Sequence, residues 1–164
     1  MKTLLLLRHA KSSWDDRSLD DHRRTLNARG ERDAPRMGRL VRDERLIPGL
    51  VISSDAVRAR LTAEAMADAA GYSGPIRLER RLYHAGPVEI LAAVRAVAGP
   101  DLETVMIVGH NPGLEELVAA LTGEREDLPT AALAQIALSI GRWSDLRLGT
   151  RGTLVRVWRP RELC

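Results

Sequence analysis

Short, dense apolar runs punctuate the first two thirds of the chain: Thr3 to Leu7, Leu50 to Ser53, Pro75 to Leu78 and Thr104 to Val108. The first and last are apolar at odd and even positions alike, which predicts central strands covered by helices on both faces of a sheet. The intervals carry helical spacing with local start and stop chemistry. Asn27 is placed to cap a helix bearing Met37, Leu40 and Val41 on one face, and Pro35 inside it predicts a kink or a late start. Asp55 is placed to cap an Ala-rich helix that Gly71 ends. Pro87 reads as a first helical residue before Ile90, Leu91, Val94 and Val97, with Gly99 and Pro100 as the stop. Asn111 and Pro112 read as cap and first residue before Leu114, Leu117, Val118 and Leu121, and Gly123 closes that helix. The tail changes period: Ala131 to Ile140 and Thr153 to Arg159 alternate as strands do, with Gly149, Arg151 and Gly152 marking a turn.

Four strand and helix pairs followed by two strands predict an α/β protein, a three-layer α/β/α sandwich around a mostly parallel sheet of about six strands. Ligands of such sheets bind beyond the carboxyl ends of the strands. No repeat or linker divides the chain, and its 164 residues suit a single domain over 1–164.

Composition narrows the function classes. The 45% of apolar residues promise a real core, built without phenylalanine and so mainly from Leu, Val, Ile and Ala. A net charge of +3, from 25 basic against 22 acidic residues, favours anionic partners weakly. The basic residues are dispersed, which argues against a nucleic-acid partner. The lone cysteine, Cys164, excludes an internal disulfide or a cysteine metal cluster and suits a reducing cytoplasm. Thr3 to Leu7 is too short for a signal peptide or a membrane span. The histidines and acids lack metal-ligand spacing, and neither a P-loop nor a dinucleotide fingerprint occurs, so no metal and no cofactor are expected.

Chemistry concentrates at the predicted strand ends. His9 follows the run Leu4 to Leu7 after one residue, and His110 follows Val105 to Val108 after one residue. A single histidine is more often structural; two at matched points face one crevice if their strands are neighbours. Arg8 precedes His9. Arg58 falls in the first turn of a helix, where the dipole disfavours a cation and a bound dianion would compensate. Phosphoryl transfer asks for this set: guanidinium forks for the equatorial oxygens and a neutral imidazole nucleophile that needs no metal. The helix beginning at Asn111 would add backbone donors beside His110.

Three motifs in order, Leu7-Arg8-His9-Ala10, Ser53-Ser54-Asp55-Ala56-Val57-Arg58-Ala59 with Thr62-Ala63-Glu64, and Val108-Gly109-His110-Asn111-Pro112, resemble the histidine phosphatase superfamily, which also holds the phosphoglycerate mutases. The compact length and the run Arg8-His9-Ala10-Lys11-Ser12 resemble its SixA-type phosphohistidine phosphatase branch. The resemblance implies a phosphoglycerate mutase-like fold and metal-independent hydrolysis through a phosphohistidine on His9. Arg8 and Arg58 would clamp the phosphoryl group and His110 would donate to its oxygens. Arg24 is similar to a family arginine that approaches the site; a solvated surface arginine is the competing reading. The implied partner is phosphohistidine on a signalling protein or a small phosphorylated molecule, with phosphate or sulfate able to occupy the site. A phosphoprotein-binding module without chemistry is the alternative outside the enzyme class.

Departures from the family pattern are specific. Ala10 replaces a usual glycine, and Asp55 stands where proline is frequent. His84, in Leu82-Tyr83-His84-Ala85, stands where the family has an acidic residue. That loss suits an imidazole leaving group; alternatively His84 itself donates the proton, or it is a loop histidine with neither role.

Overall fold

The computed structural model describes residues 1–163. Strands β1 (Lys2–Arg8), β2 (Leu50–Ser54), β3 (Ile76–Glu79), β4 (Thr104–Gly109), β5 (Leu133–Leu138) and β6 (Gly152–Trp158) alternate with helices α1 (Ala28–Asp43), α2 (Val57–Ala70), α3 (Pro87–Val97) and α4 (Gly113–Thr122). They form one sheet in the order β3-β2-β4-β1-β5-β6. The first four are mutually parallel, while β5 and β6 run antiparallel to their neighbours. The α/β/α layering and the mostly parallel six-stranded sheet agree with the sequence expectation.

The two-faced apolar pattern of β1 has a direct structural cause. Leu4, Leu5, Leu6 and Leu7 are all fully buried. Leu4 and Leu6 enter a core with Ile90, Leu91 and Val94 of α3 and Leu117 and Val118 of α4. Leu5 and Leu7 enter the opposite core with Met37 and Val41 of α1 and Ala63 and Met66 of α2. Each such leucine contributes roughly 1.5–3 kcal/mol relative to exposure. Strand β1 is thereby anchored on both faces, and its carboxyl end is a rigid platform. The small residues of α2 serve close packing: a Cβ added at Gly38 of α1 would collide with the Met66 carbonyl and Ala69.

Three local expectations need correction. Helix α1 does not start late: the Asn27 side chain accepts from Gly30 N at 2.9 Å, and the helix runs from Ala28 to Asp43 with Pro35 inside it. The carbonyl that Pro35 cannot serve belongs to Glu31, an exposed residue whose carbonyl water can reach. Asp55 does not cap α2. Ala56 holds that position without a side-chain bond, because the Asp55 carboxylate is drawn to His22 Nε2 at 2.8 Å. Nor does Asn111 cap α4, which begins at Gly113; the Asn111 amide turns to donate to Leu128 O at 2.8 Å. Pro87 does open α3, and Gly71 and Gly123 close α2 and α4 at φ 77° and 74°.

Candidate active site

Strand register brings the two histidines together. Strands β1 and β4 are neighbours, with Arg8 opposite Gly109, so His9 and His110 leave the sheet side by side. Their ring centroids are 5.1 Å apart. His9 N donates to Gly109 O at 3.0 Å, which ties the two strand ends. Ala10 N donates to Thr62 Oγ at 2.9 Å and Thr62 Oγ donates to Arg58 O at 2.7 Å, linking the turn after β1 to the first turns of α2.

His9 is 7% exposed. Its Nδ1 lies 2.8 Å from Ala10 O. A carbonyl only accepts, so Nδ1 carries the proton and Nε2 keeps its lone pair. Burial, reinforced by the guanidiniums of Arg58, Arg8 and Arg24 and opposed by the Ala10 carbonyl, pushes the His9 imidazole down to about 4. His110 is pushed down to about 3 by burial, then by His9, Arg58 and His84, with Asp21 opposing. Both rings are therefore neutral at neutral pH. His110 Nε2 pairs with Ser54 Oγ at 2.8 Å.

The arginines are held by the protein. Arg8 Nη1 donates to Leu128 O at 3.0 Å, while its Nε is buried without a protein partner. Arg58, 6% exposed, donates to Asp21 O at 2.6 Å and to Asp21 Oδ2 at 3.0 Å. Arg24 is 8% exposed, not solvated. It donates to Ser13 O at 3.1 Å, to Asp21 Oδ1 at 3.0 Å and to Ser12 Oγ, and its guanidinium carbon sits over the Trp14 ring.

Asp21, in the 3-10 turn Asp21–Arg23, organises this group and was not singled out from the sequence. Its carboxylate accepts from Tyr83 OH at 2.6 Å as well as from Arg24 and Arg58. The Tyr83 hydrogen bond first, then Arg24 and Arg58, hold it far below the usual carboxylate range despite the cost of desolvation. Tyr83, also missed, stacks against His84 with centroids 3.9 Å apart. The sequence offered only one signal for Asp21, its position three residues before Arg24.

One cleft of about 350 Å³ gathers all seven residues singled out from the sequence: Arg8, His9, Arg24, Arg58, His84, His110 and Asn111. Lys11, Ser12, Trp14, Asp21 and Thr130 complete its wall. Four permanent cations face one carboxylate there, so an anion is the ligand the charge selects. A larger cavity of about 770 Å³ sets Arg125, Arg159 and Arg161 among five carboxylates, and among the described residues no histidine lines it. Among the described residues, no group of three or more His, Cys, Asp or Glu is arranged to hold a metal. No helix among them is long and apolar enough to cross a membrane.

Residues 4–93 match the histidine phosphatase superfamily (branch 1). A chloroplastic protein of Arabidopsis thaliana is 34% identical over 152 residues, spanning 88% of this chain and 70% of the relative. The solved SixA structure from Nakamurella multipartitia superposes with a TM-score of 0.85 at 30% identity, covering 97% of this chain and 96% of that one. SixA from Agrobacterium tumefaciens gives a TM-score of 0.82 at 30% identity, with 97% and 98% covered. The fold is phosphoglycerate mutase-like. The chain is a phosphatase of the histidine phosphatase superfamily, in its SixA-type branch.

Proposed function

We propose that the protein hydrolyses phosphohistidine on a signalling protein, with His9 as the nucleophile. The observation that carries this reading is the His9 tautomer: Nδ1–H is committed to Ala10 O, leaving a basic Nε2 in a cationic cleft. Nε2 attacks phosphorus, the bond from phosphorus to the substrate nitrogen breaks, and a phosphohistidine forms on His9. Water then attacks that intermediate and releases inorganic phosphate. Arg8 and Arg58 stabilise the equatorial oxygens, and Arg8 Nε is a buried donor awaiting an acceptor. His110 donates from the second ring, while Arg24 and Asn111 shape the substrate side.

The state of Asp21 supports an imidazole as the leaving group. Among the described residues Asp21 is the one carboxylate lining the cleft, and it is held ionised by Tyr83 and the arginines, so it has no proton to give. A departing imidazole tolerates that lack better than an alkoxide does. The SixA relatives at 30% identity, provisionally named phosphohistidine phosphatases, support the same substrate class.

The test compares a phosphohistidine-bearing protein with a small alkyl phosphate, and traps acid-labile phosphate on the enzyme. Preferred turnover of the former, and labelling of wild type but not of His9→Ala, are expected. Comparable turnover of both would favour a small-molecule phosphomonoesterase. Binding without labelling or phosphate release would make the protein a phosphoprotein-binding module.

A further inference from the structure

We propose that Trp14 is the specificity-determining residue of the cleft: the open face of its indole stacks on the imidazole ring from which the phosphoryl group departs. The inference rests on the phosphohistidine reading above and names the residue that recognises the ring rather than the phosphate.

The first observation is exposure at a particular place. Trp14 is 68% exposed, and among the described residues it is the one aromatic of the large apolar side chains left in solvent. Tryptophan is mostly buried in folded proteins, although a lone exposed apolar side chain carries no meaning by itself. This one lines the cleft that holds His9, Arg58 and His110.

The second is how the indole is held. The guanidinium carbon of Arg24 lies 3.1 Å from the centroid of its ring, and Arg24 is itself fixed by Ser13 O, Asp21 Oδ1 and Ser12 Oγ. The base of the loop is clasped as well: Ser13 N donates to Thr25 O at 2.7 Å and Asn27 N to Lys11 O at 3.0 Å. One face of the indole is thus backed by a buried cation and set in place before any ligand arrives, which spares the entropy of ordering it on binding. The exposure of the residue leaves the opposite face open.

The third is the direction of the leaving group. His9 and Arg58 are buried and Arg8 and His110 half-buried, so the phosphoryl group lies at the inner end of the cleft. In-line attack by His9 Nε2 sends the leaving group away from that end, toward the mouth. Among the described residues, Lys11, Trp14, Asp21 and His84 are the exposed members of the wall. Lys11 and Asp21 offer charge rather than a ring face, and His84, at φ 59°, already rests its ring on Tyr83 at 3.9 Å. Trp14 is left to receive a flat ring. A second depression of about 390 Å³ shares Trp14 and Arg24 with the cleft and adds Asp16, Arg17 and Leu19, which gives room for the polypeptide that carries the phosphorylated ring.

The experiment uses two compounds with a phosphorus to nitrogen bond: phosphoimidazole, whose leaving group is the bare ring, and phosphoramidate, whose leaving nitrogen carries no ring. Trp14→Ala is expected to lose about tenfold in kcat/KM on phosphoimidazole, the size of one aromatic stack, and far less on phosphoramidate. Trp14→Phe keeps a ring face and should recover most of the loss. Binding can be read directly, because Trp143 and Trp158 are buried and Trp14 is the exposed fluorophore. In the His9→Ala protein, phosphoimidazole should shift the emission to the blue, and inorganic phosphate should not. Equal losses on both compounds would mean that Trp14 only holds Arg24, and would overturn the assignment. So would full activity of Trp14→Ala on phosphoimidazole, or an emission unmoved by saturating phosphoimidazole. If wild type hydrolyses neither phosphoimidazole nor a phosphohistidine-bearing protein, the phosphohistidine reading fails and this inference falls with it. If wild type hydrolyses them while Trp14→Ala shows no difference between the two compounds, only the stacking assignment fails.

Discussion

The ring of His110 is fastened to Ser54 across the sheet: Nε2 and Oγ are 2.8 Å apart. Ser54 ends β2 and His110 follows β4, two strands that pair in parallel, so the contact is a product of register. Ser54 Oγ also accepts from Ala56 N at 3.2 Å, which fixes the hydroxyl from the other side. Ser54→Ala frees the ring to turn. We expect about a tenfold loss in kcat with little change in KM, at a stability cost of about 1 kcal/mol. Steady-state kinetics with urea unfolding checks both, and an unchanged kcat would show that packing alone orients His110.

Asp21 spends its carboxylate on three partners, Arg24, Arg58 and Tyr83. Its partial exposure limits what these pairs give the fold. Their value lies in aiming two buried guanidiniums. Asp21→Asn should lower kcat/KM about tenfold, the size of a single weakened charge-assisted bond. A rise in kcat/KM would mean instead that the carboxylate competes with the phosphoryl group for Arg58.

Thr62 joins the turn after β1 to α2 through one hydroxyl that accepts from Ala10 N and donates to Arg58 O. The residue is fully buried. Thr62→Val keeps the shape and leaves the Ala10 N–H without its partner. The expected loss is about 1–3 kcal/mol in denaturant unfolding, and a loss below the error of that measurement would show that the turn rearranges.

Acid should weaken the ligand-free fold through its neutral histidines. His9 titrates at an ordinary 6.5 when unfolded and at about 4 when folded. Between these values the unfolded chain binds a proton that the folded chain refuses, so stability is whole above pH 6.5 and is lost as pH falls toward 4. At about 1.4 kcal/mol per unit, His9 alone accounts for roughly 3 kcal/mol. His110, pushed down to about 3, acts in the same direction. Urea unfolding of wild type and His9→Ala at pH 7 and pH 5 measures this, and identical pH slopes would refute it. The nucleophile itself stays unprotonated in the free enzyme down to about pH 4.

Local chemistry wrote much of this architecture into the chain. Four leucines in a row at β1 could be buried only between two helical layers, and helix stops at Gly71 and Gly123 rest on the backbone freedom of glycine alone. The matched histidines after β1 and β4 were legible because strand ends are where a parallel sheet exposes its ligands. Capping at Asp55 and Asn111 was misread, since a side chain chooses among partners according to what the fold brings near. Asp55 met His22, and Asn111 met Leu128 O, neither of which is adjacent in sequence.

Tertiary structure alone decided the rest. Whether Arg24 is solvated or buried, and which carboxylate holds Arg58, depend on a turn at Asp21–Arg23 folding back onto α2, with Arg58 lying 37 residues beyond Asp21. Such contacts are set by packing of distant segments and leave no periodic trace. The sequence by itself determined the layers and the pair of imidazoles, because burial and backbone propensity act residue by residue. The ionised Asp21, the protonated Nδ1 of His9 and the strained His84 emerged only in three dimensions, where electrostatics and hydrogen bonding depend on neighbours that the chain order does not name.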